Sequence, residues 1–404
     1  MKRFALGFTA LTLLSMGLPG HAANKDHLQK LQTTRQCANC DLRDADLRGL
    51  FLRQANLRGA NLQGADLNGV DLQGAFLRGA NLQDADLRNA DLRSANLERV
   101  QLEGAQLANA QLDYLTILDD RWRLVHTLVT EGLVEAHSLQ NVDLRGANLD
   151  GANLSGADFT GALLTGASFE DSFLRGSQFA EAELSDASFF IADLQGTNFS
   201  AAQIEQGSFR AADIRSGDFS DANLLRADLA LAYLDEASFV NANLSQSNLS
   251  RSYFTGADFT GAQLRSANLF VADLQQATLV GVNLTGSQLQ GADFTDTQFT
   301  SAQFQGTNPE GIRVRGANLS GTDLSNLNLR GADFSGGSLR HVKFINTNLS
   351  GVNFQGADLS FTDFSGADLS YVNLQQATLE GIVFNQQTNL CGALLPDGSE
   401  HECN

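Results

Sequence analysis

Four cysteines and six histidines are the residues of this chain most suited to metal binding or catalysis. The histidines are scattered, and no His-Glu-x-x-His, nucleophile elbow or phosphate loop places one beside a second reactive group. Cys37 and Cys40 lie early in the chain, whereas Cys391 and Cys403 lie near its end. A zinc site built from all four would need both chain ends together. The pattern therefore predicts no enzyme, metal site or cofactor, and it favours two disulfides, with buried free thiols at 37 and 40 as the alternative.

Aspartates recur at a fixed place in the sequence and could in principle form a cation-binding ladder. Asp46, Asp66 and Asp86 are twenty residues apart, but Arg48 and Arg88 accompany them. Asn interrupts most other ladders of this kind, so a solvated wall is favoured over a calcium site. Residues 41–112 carry ten acidic residues and eight Arg, a net charge of −2, and the whole chain has a net charge of −19. We therefore expect no nucleic-acid binding by a basic patch.

The first residues are typical of an export signal. Lys2 and Arg3 precede an apolar run over residues 4–18, and Gly20-His21-Ala22 provides a small-residue cleavage site after Ala22. This pattern predicts a signal peptide over residues 1–22, with an uncleaved anchor helix as the alternative. No later stretch is apolar enough to cross a bilayer. The mature chain is predicted to be exported, to a periplasm or a thylakoid lumen, where disulfides persist.

A five-residue period dominates the rest of the chain. Every fifth residue from Leu42 to Leu112 is Leu, fifteen times in succession. The period resumes in a new phase from Leu139 to Phe384, where fifty positions hold 28 Leu, 18 Phe, 2 Ile and 1 Val, with Pro309 as the exception. This period matches neither the 3.6 residues of a helix nor the two of a strand. It predicts a repeat architecture in place of ordinary globular domains.

The residues around this central position are also constrained in type. The residue two before it is mostly Ala, the residue before it is mostly Asp or Asn, and the residue two after it is often Gly. Residues 147–151, Ala-Asn-Leu-Asp-Gly, and residues 157–161, Ala-Asp-Phe-Thr-Gly, are examples. The motif resembles that of the pentapeptide-repeat family, A-[DN]-[LF]-x-x. The resemblance implies a right-handed, four-sided β-helix with four pentapeptides in each coil.

An alternation of the central residue independently supports four sides. From Leu154 to Leu224 the centres alternate between Leu or Ile and Phe, which is a period of ten residues. A coil of twenty residues would stack Phe on two opposite walls, whereas a coil of fifteen would mix Phe and Leu on every wall. The predicted fold is thus all-β, a right-handed quadrilateral β-helix with short helical caps and one helical insertion.

The breaks in the period divide the chain into segments. Leu28 and Leu31 have helical spacing before the first repeat, and Trp122 lies in a second helical pattern after Asp119 and Asp120. The predicted organisation is a signal peptide (1–22), an N-terminal helical cap (23–36), a first repeat block (37–112), a helical insertion (113–138), a second repeat block (139–388) and a C-terminal tail (389–404). One solenoid with an excursion is favoured, and two separate solenoids are the alternative. The signal peptide, the Cys-x-x-Cys and the Trp122 helix together resemble exported cyanobacterial members of the family.

One departure from polar exteriors is a candidate contact surface. Tyr233 and Tyr253 both precede a central residue and are twenty residues apart, so they are expected to stack on adjacent coils. Leu231 lies around the neighbouring corner, and Phe270 and Val271 are expected further along the same edge. We call these five residues the apolar strip. Exposed patches of this kind mark protein contacts, with scattered surface residues tolerated by a repeat as the alternative.

The predicted function is a non-enzymatic interaction or scaffold rod whose protein partner is unknown. It is expected to be a monomer or an end-to-end dimer, with no nucleic acid bound and no membrane span after the signal is removed. The alternative is an acidic DNA mimic acting on a topoisomerase, because the negative charge of this chain resembles that of pentapeptide-repeat proteins of the quinolone-resistance type. The export signal disfavours this alternative, since that target is cytosolic.

Overall fold

The computed structural model describes residues 23–133 and 139–403, so the predicted signal peptide and residues 134–138 of the predicted insertion lie outside the described residues. The chain divides into two compact units. Unit 1 comprises Met1–Leu102 and Gln111–Leu118, and unit 2 comprises Glu103–Ala110 and Asp119–Asn404. Two helices are present, α1 (Lys25–Thr34) in unit 1 and α2 (Asp120–Thr130) in unit 2. In the described part of the chain, no helix has the length and apolarity needed to cross a membrane.

Single parallel β-bridges between residues twenty apart build both units. In unit 1, Asp46 bridges Asp66 and Asp66 bridges Asp86, and in unit 2, Tyr233 bridges Tyr253. Each bridged residue precedes a central residue, so twenty residues, or four pentapeptides, make one coil. Among the described residues the β-structure consists of such isolated bridges, and no strand extends beyond a single bridge. Each unit is thus a β-helical solenoid in which residues twenty apart become neighbours, and we call such a series of neighbouring residues a column.

The core of each coil is filled by one large and one small side chain per pentapeptide. In unit 2, Phe179 and Phe199 stack with ring centroids 5.1 Å apart, and Phe199 and Phe219 stack at 4.9 Å. Phe189 and Phe209 belong to a second column and meet Phe199 edge-to-face at 5.6 and 5.4 Å. The alternation of Leu and Phe in the sequence therefore becomes two Phe columns that contact each other across the interior, in the offset and edge-to-face geometries that aromatic pairs prefer.

The polar residue before each centre is explained by the turn that follows it. The side chain of Asp258 accepts a hydrogen bond from the backbone N–H of Thr260 at 2.8 Å, and Asn243 accepts one from Ser245 at 3.2 Å. These are Asx turns, which Asp and Asn favour. Two residues after most centres the backbone is left-handed, as at Gly151 with φ 67°. That conformation suits Gly, which has no Cβ, and also Asn and Asp.

Several of these aspartates also hold an arginine on the same face. The guanidinium of Arg48 donates from Nε and Nη2 to the two carboxylate oxygens of Asp46 at 2.9 and 2.8 Å. Arg145 grips Asp143 in the same fork, at 2.9 and 2.7 Å. These hydrogen bonds lower the pKa of Asp46 and of Asp143 to about 2. Because the forks are solvent-exposed, they contribute little stability, but they neutralise charge that the sequence alone would count as free.

Helix α1 packs against the first coil of unit 1. Asn24 caps it by accepting from the backbone N–H of Asp26, and the side chain of Leu31 is buried. His27 accepts a hydrogen bond from the backbone N–H of Asp41 through Nδ1 at 3.1 Å. The Cys37–Cys40 disulfide that the sequence predicts is present beside these contacts. The helix thus provides a hydrogen-bond acceptor for the backbone N–H of Asp41, which in later coils is provided by the preceding coil.

The bridges of unit 1 continue beyond the last five-residue step at Leu112. Ile117 bridges Asn96, which is twenty-one residues away, because the turn before it has one extra residue. Asp113 closes this turn, accepting from the backbone N–H of Ser94 at 2.8 Å and from the hydroxyl of Thr116 at 2.9 Å. The extra residue ends the period in the sequence without ending the coil.

The same turn recurs near the end of unit 2. Asn385 accepts from the backbone N–H of Gly366 at 3.0 Å, and the hydroxyl of Thr388 donates to the carbonyl of Phe364 at 2.9 Å. The bridges then continue to Leu394, beyond the predicted repeat boundary at residue 388, and Leu394 pairs antiparallel with Glu400 in a hairpin. The predicted Cys391–Cys403 disulfide is present in this segment. A shared Asp/Asn-x-x-Thr turn therefore extends both repeat blocks.

Helix α2 is part of unit 2 and begins at the predicted cap, because the side chain of Asp119 accepts from the backbone N–H of Arg121 at 3.0 Å. Its buried face consists of Trp122, Val125 and Leu128. Val129 is only partly buried, so the third buried residue of this face is Leu128. The spacing 122–125–128 is three residues at each step, which also lies on one side of a helix.

We predict that Phe199→Ala lowers the free energy of unfolding by about 3–5 kcal/mol, because it removes a fully buried ring that stacks within one Phe column and contacts the other edge-to-face. Urea unfolding followed by far-UV circular dichroism measures the change. Tyr371→Ala removes a ring that is 67% exposed and serves as the control, with an expected change within about 0.5 kcal/mol. Equal effects of the two substitutions would contradict the described core.

Candidate functional site

The two tyrosines of the apolar strip stack as the sequence predicts. Tyr233 and Tyr253 occupy one column of unit 2, with ring centroids 5.2 Å apart and an interplanar angle of 6°. Their side chains remain 48% and 45% exposed. The pair therefore presents two parallel aromatic faces to solvent on adjacent coils.

The other members of the strip lie in two columns at the neighbouring corner. Leu231 and Val271 share one of these columns, and Phe270 lies in the column beside it. All three are exposed. Arg251 stands between Leu231 and Val271, and its backbone N–H bonds to the carbonyl of Phe270 at 3.0 Å. The strip is therefore not purely apolar, since a guanidinium lies in its middle.

Three exposed apolar residues that the sequence analysis did not identify lie in the same three columns. Phe173 is in the tyrosine column, Phe190 in the column of Phe270, and Ile191 in the column of Leu231. Phe173 is 52% exposed and Ile191 is 46% exposed. Their positions could be found in the sequence, because residues separated by multiples of twenty lie in one column. We call these three residues together with the apolar strip the extended strip.

The corner of the extended strip carries no carboxylate over five successive coils. The two corner columns between residues 190 and 271 hold seven apolar residues, one Ser and two Arg: Phe190, Ile191, Arg210, Ala211, Ala230, Leu231, Ser250, Arg251, Phe270 and Val271. The whole chain contains 46 acidic and 27 basic residues. The corner is thus apolar and cationic on a protein that is acidic on balance.

A shallow cleft of about 250 Å³ opens between the two arginines of this corner. Its walls include Arg210, Leu231, Arg251 and Phe270. Arg210 lies 3.9 Å from the carboxylate of Asp228, at the limit of an ion pair. The guanidinium of Arg251 has no hydrogen bond or ion pair with any residue in the described ranges. The cleft therefore offers two poorly satisfied cations among apolar walls.

Two residues of the extended strip occupy a backbone conformation that their side chains disfavour. Ile191 and Val271 lie two residues after a centre, with φ of 54° and 57°. Within the described residues, they are the two β-branched residues with positive φ, whereas equivalent positions hold mainly Gly, Asn, Asp, Gln or Ser. A β-branched residue in this region is an outlier that costs free energy. Such strain is concentrated at functional sites.

A second, larger cleft lies on the neighbouring face and is polar. It measures about 540 Å³, and its lining includes Arg175 and Arg215. Both arginines are paired, Arg175 with Asp193 and Arg215 with Asp213, each at 2.6 Å. Burial would raise the pKa of Asp213, but the hydrogen bonds from Arg215 outweigh it and lower the pKa. These cations are already neutralised, in contrast to Arg251.

No other arrangement in the described ranges suggests chemistry. No group of three or more His, Cys, Asp or Glu residues there could hold a metal ion. His126 lies with Nε2 2.6 Å from the carbonyl of Ala110, and burial lowers its pKa. The ring of His341 stacks on Phe361 with centroids 5.0 Å apart. His126 is thus partly buried in the fold, whereas His341 stacks on another ring at the exposed surface.

Two family models match the chain, and neither describes an enzyme. The model described as "Pentapeptide repeats" matches more than half of the residues: 36–74, 75–113, 138–176, 157–196, 192–230, 232–269 and 347–386. The model described as "Pentapeptide repeat region" matches residues 282–354. No curated protein matches the chain.

Solved structures with similarity include other pentapeptide repeat proteins. HetL, from the cyanobacterium Nostoc sp. strain PCC 7120 and involved in heterocyst differentiation regulation, is 29% identical, with 65% of this chain and 93% of HetL covered and a TM-score of 0.30. The plasmid-mediated fluoroquinolone resistance protein QnrB1 is 19% identical, covering 59% of this chain and 92% of its own, with a TM-score of 0.27. A protein from the Arabidopsis thaliana thylakoid lumen is 25% identical over 34% of this chain and 68% of its own, with a TM-score of 0.14.

We predict that Ile191→Asn and Val271→Asn each raise the free energy of unfolding by about 1 kcal/mol, because Asn tolerates positive φ better than a β-branched residue does. Asn241 already occupies an equivalent position with φ 58°. Urea unfolding measures the change, and Gln276→Asn is the control because Gln276 has φ 60° without branching at Cβ. A loss of stability in both variants would show that the two side chains are retained for packing.

Proposed function

Because the chain belongs to the pentapeptide-repeat family, we propose that it is a non-enzymatic protein-interaction scaffold whose contact surface is the extended strip. One observation carries this proposal. Eight exposed apolar side chains lie in three neighbouring columns of unit 2 over six coils, although each of those columns can hold a polar residue, as it does at Asp213, Ser250 and Arg251. A cluster of exposed apolar residues on a protein surface marks a protein contact.

The backbone supports the same conclusion from a different direction. Ile191 and Val271 keep β-branched side chains where Asn or Gly would be less strained. Each is about half exposed, so burial within the chain returns little of the cost. Residues that lower stability without filling a core are expected where a function depends on them.

The size of the extended strip suits a moderate protein interface. From the coil of Phe173 to the coil of Val271 there are five steps, or about 24 Å at the usual 4.8 Å spacing of neighbouring strands. A standard interface covers about 800 Å² on each partner, which corresponds to a patch of roughly this width. Tyr and Phe are enriched in such interfaces.

We also propose the finer features of the fold and its location. A right-handed coil with four sides is supported by the family membership and by four bridged positions in every twenty residues. Helix α1 and the C-terminal hairpin are proposed as the two caps. Export to a periplasm or a thylakoid lumen is supported by the signal pattern over residues 1–22 and by two disulfides, which persist in oxidising compartments.

The alternative of an acidic DNA mimic has less support. Part of the negative charge is neutralised locally, since Asp46, Asp143 and Asp213 each hold an arginine in a fork. The most distinctive surface of unit 2 is apolar and carries Arg210 and Arg251, which would repel a DNA-binding site. Protein contact through the extended strip fits these features better than mimicry does.

We predict that cross-linking and affinity capture from the native compartment recovers a partner with the wild-type protein. With the Tyr233→Ser/Tyr253→Ser/Phe270→Ser variant, we expect the amount of captured partner to fall at least tenfold. The substitutions remove three exposed anchors and leave the core unchanged. The matched control, Phe51→Ser/Phe361→Ser/Tyr371→Ser, removes three exposed aromatic rings outside the extended strip. Quantitative mass spectrometry compares the captured proteins, and circular dichroism verifies that all variants fold.

Two results would contradict the proposal. If both triple variants capture the same partners as the wild type, the extended strip is not the contact surface. If the chain is found in the cytosol with residues 1–22 intact, the proposed export fails and the DNA-mimic alternative gains support.

A further inference from the structure

We propose that the extended strip binds one amphipathic α-helix of a partner protein, lying along the stack of coils and carrying carboxylates that pair with Arg210 and Arg251. This inference rests on the proposed function and specifies the class of partner. The geometry that points to it is the match between the rise of the coils and the pitch of a helix, together with the unpaired charge of the corner.

The spacing of exposed side chains along the strip favours a helix over an extended peptide. Stacked rings on adjacent coils are 5.2 Å apart at Tyr233 and Tyr253, and the buried Phe199 and Phe219 are 4.9 Å apart. An α-helix advances about 5.4 Å per turn, so it places about one side chain against each coil. An extended strand places side chains of one face about 6.6–6.8 Å apart, which loses register within three coils.

The corner columns supply the groove that such a helix needs. Ala211, Ala230 and Ser250 are short and lie between the larger Phe190, Leu231 and Phe270. The cleft of about 250 Å³ is lined by two of these short residues, Ala230 and Ser250. A side chain from each turn of the partner helix can enter between the projecting residues, as ridges enter grooves when helices pack. The tyrosine column then borders one side of the groove.

The charge of the partner follows from the cost of covering the arginines. Arg251 has no hydrogen bond or ion pair within the described residues, and the contact of Arg210 with Asp228 is 3.9 Å long. Burying a guanidinium under an apolar surface is costly unless an acceptor replaces the lost water. The corner columns provide no carboxylate from residue 190 to residue 271, and Asp228 beside them is in ion-pair range of Arg210 only, so we expect the partner to provide the acceptor for Arg251.

Other segments of the same chain do not supply these carboxylates equally well. Residues 1–22 are apolar but carry Lys2 and Arg3 and no acidic residue. A second copy that docked through the same surface would bring its own Arg210 and Arg251 to the interface, so like charges would have to be separated. A carboxylate-bearing helix from a different protein satisfies both the spacing and the charge.

The test uses two displayed peptide libraries of equal length, about 18 residues, which spans the strip at 1.5 Å per residue. One library has a helix-forming framework, and the other has two central prolines that prevent a helix. Both are selected on the immobilised full-length protein. We expect enrichment from the helical library, with apolar residues spaced three and four apart and with Asp and Glu above their input frequency.

The selected peptides are then measured against protein variants. Arg251→Glu and Tyr253→Ser are expected to weaken binding at least tenfold each. The control is Arg265→Glu, which reverses the charge of an exposed arginine on another face. Like Arg251, Arg265 has no ion pair with any described residue. It is expected to change binding less than twofold. Circular dichroism of the bound and free peptide reports whether the peptide is helical.

Four results would overturn the inference. These are enrichment from the proline library, an absence of enrichment from either library, selected peptides without acidic residues, and unchanged binding to Arg251→Glu. Sedimentation showing a dimer that the Tyr253→Ser variant abolishes would assign the surface to a second copy instead. If affinity capture still depends on the extended strip in any of these cases, the proposed function stands and only the partner class is wrong.

Discussion

The pairing of each coil with the residues twenty positions later is the constraint on which the rest of the structure depends. Parallel bridges such as Tyr233 with Tyr253 repeat along each unit and leave no freedom in register. Every side chain therefore stacks on a neighbour that the sequence fixes. The inward positions become columns of Phe, Leu and Ala, and the outward positions become columns whose chemistry can vary. Because each coil contacts only its neighbours, an outward substitution changes the surface with little effect on the core.

This separation explains where function can reside. The core positions hold the repeat residues that pack against each other, and the turns hold the Asp, Asn and Gly residues that close them. The exposed columns can hold residues of any chemical type. On unit 2 the proposed contact surface is the extended strip, with Tyr233 and Tyr253 stacked at 5.2 Å and Arg251 set among apolar residues. Ile191 and Val271 keep a strained backbone there. A protein under selection for stability alone would replace them.

Much of this arrangement follows from the sequence because the repeat converts sequence separation into spatial distance. The twenty-residue coil, the Phe columns and the Tyr233–Tyr253 stack were predicted in this way, and all are present. The two disulfides, predicted from the even number of cysteines and their places near the two ends of the chain, are also present. Phe173, Phe190 and Ile191 were not predicted, because they lie in the same columns as the apolar strip but two or more coils before its first residue. The sequence period also does not show that the coils continue through the turns closed by Asp113 and Asn385. Those turns rest on side-chain hydrogen bonds that a period of five does not encode.

The most direct test of the account is disulfide trapping between outward positions of adjacent coils. Asn243 bridges Gln263, twenty residues away, so the pair Asn243→Cys/Gln263→Cys should oxidise readily at the Cα separation of about 4.8 Å expected for neighbouring strands. The pair Asn243→Cys/Asp258→Cys, fifteen residues apart, should remain reduced under the same conditions. This result would establish the columns from which the extended strip is built. Efficient trapping of the fifteen-residue pair in place of the twenty-residue pair would contradict the twenty-residue columns, and therefore also the extended strip that is built from them.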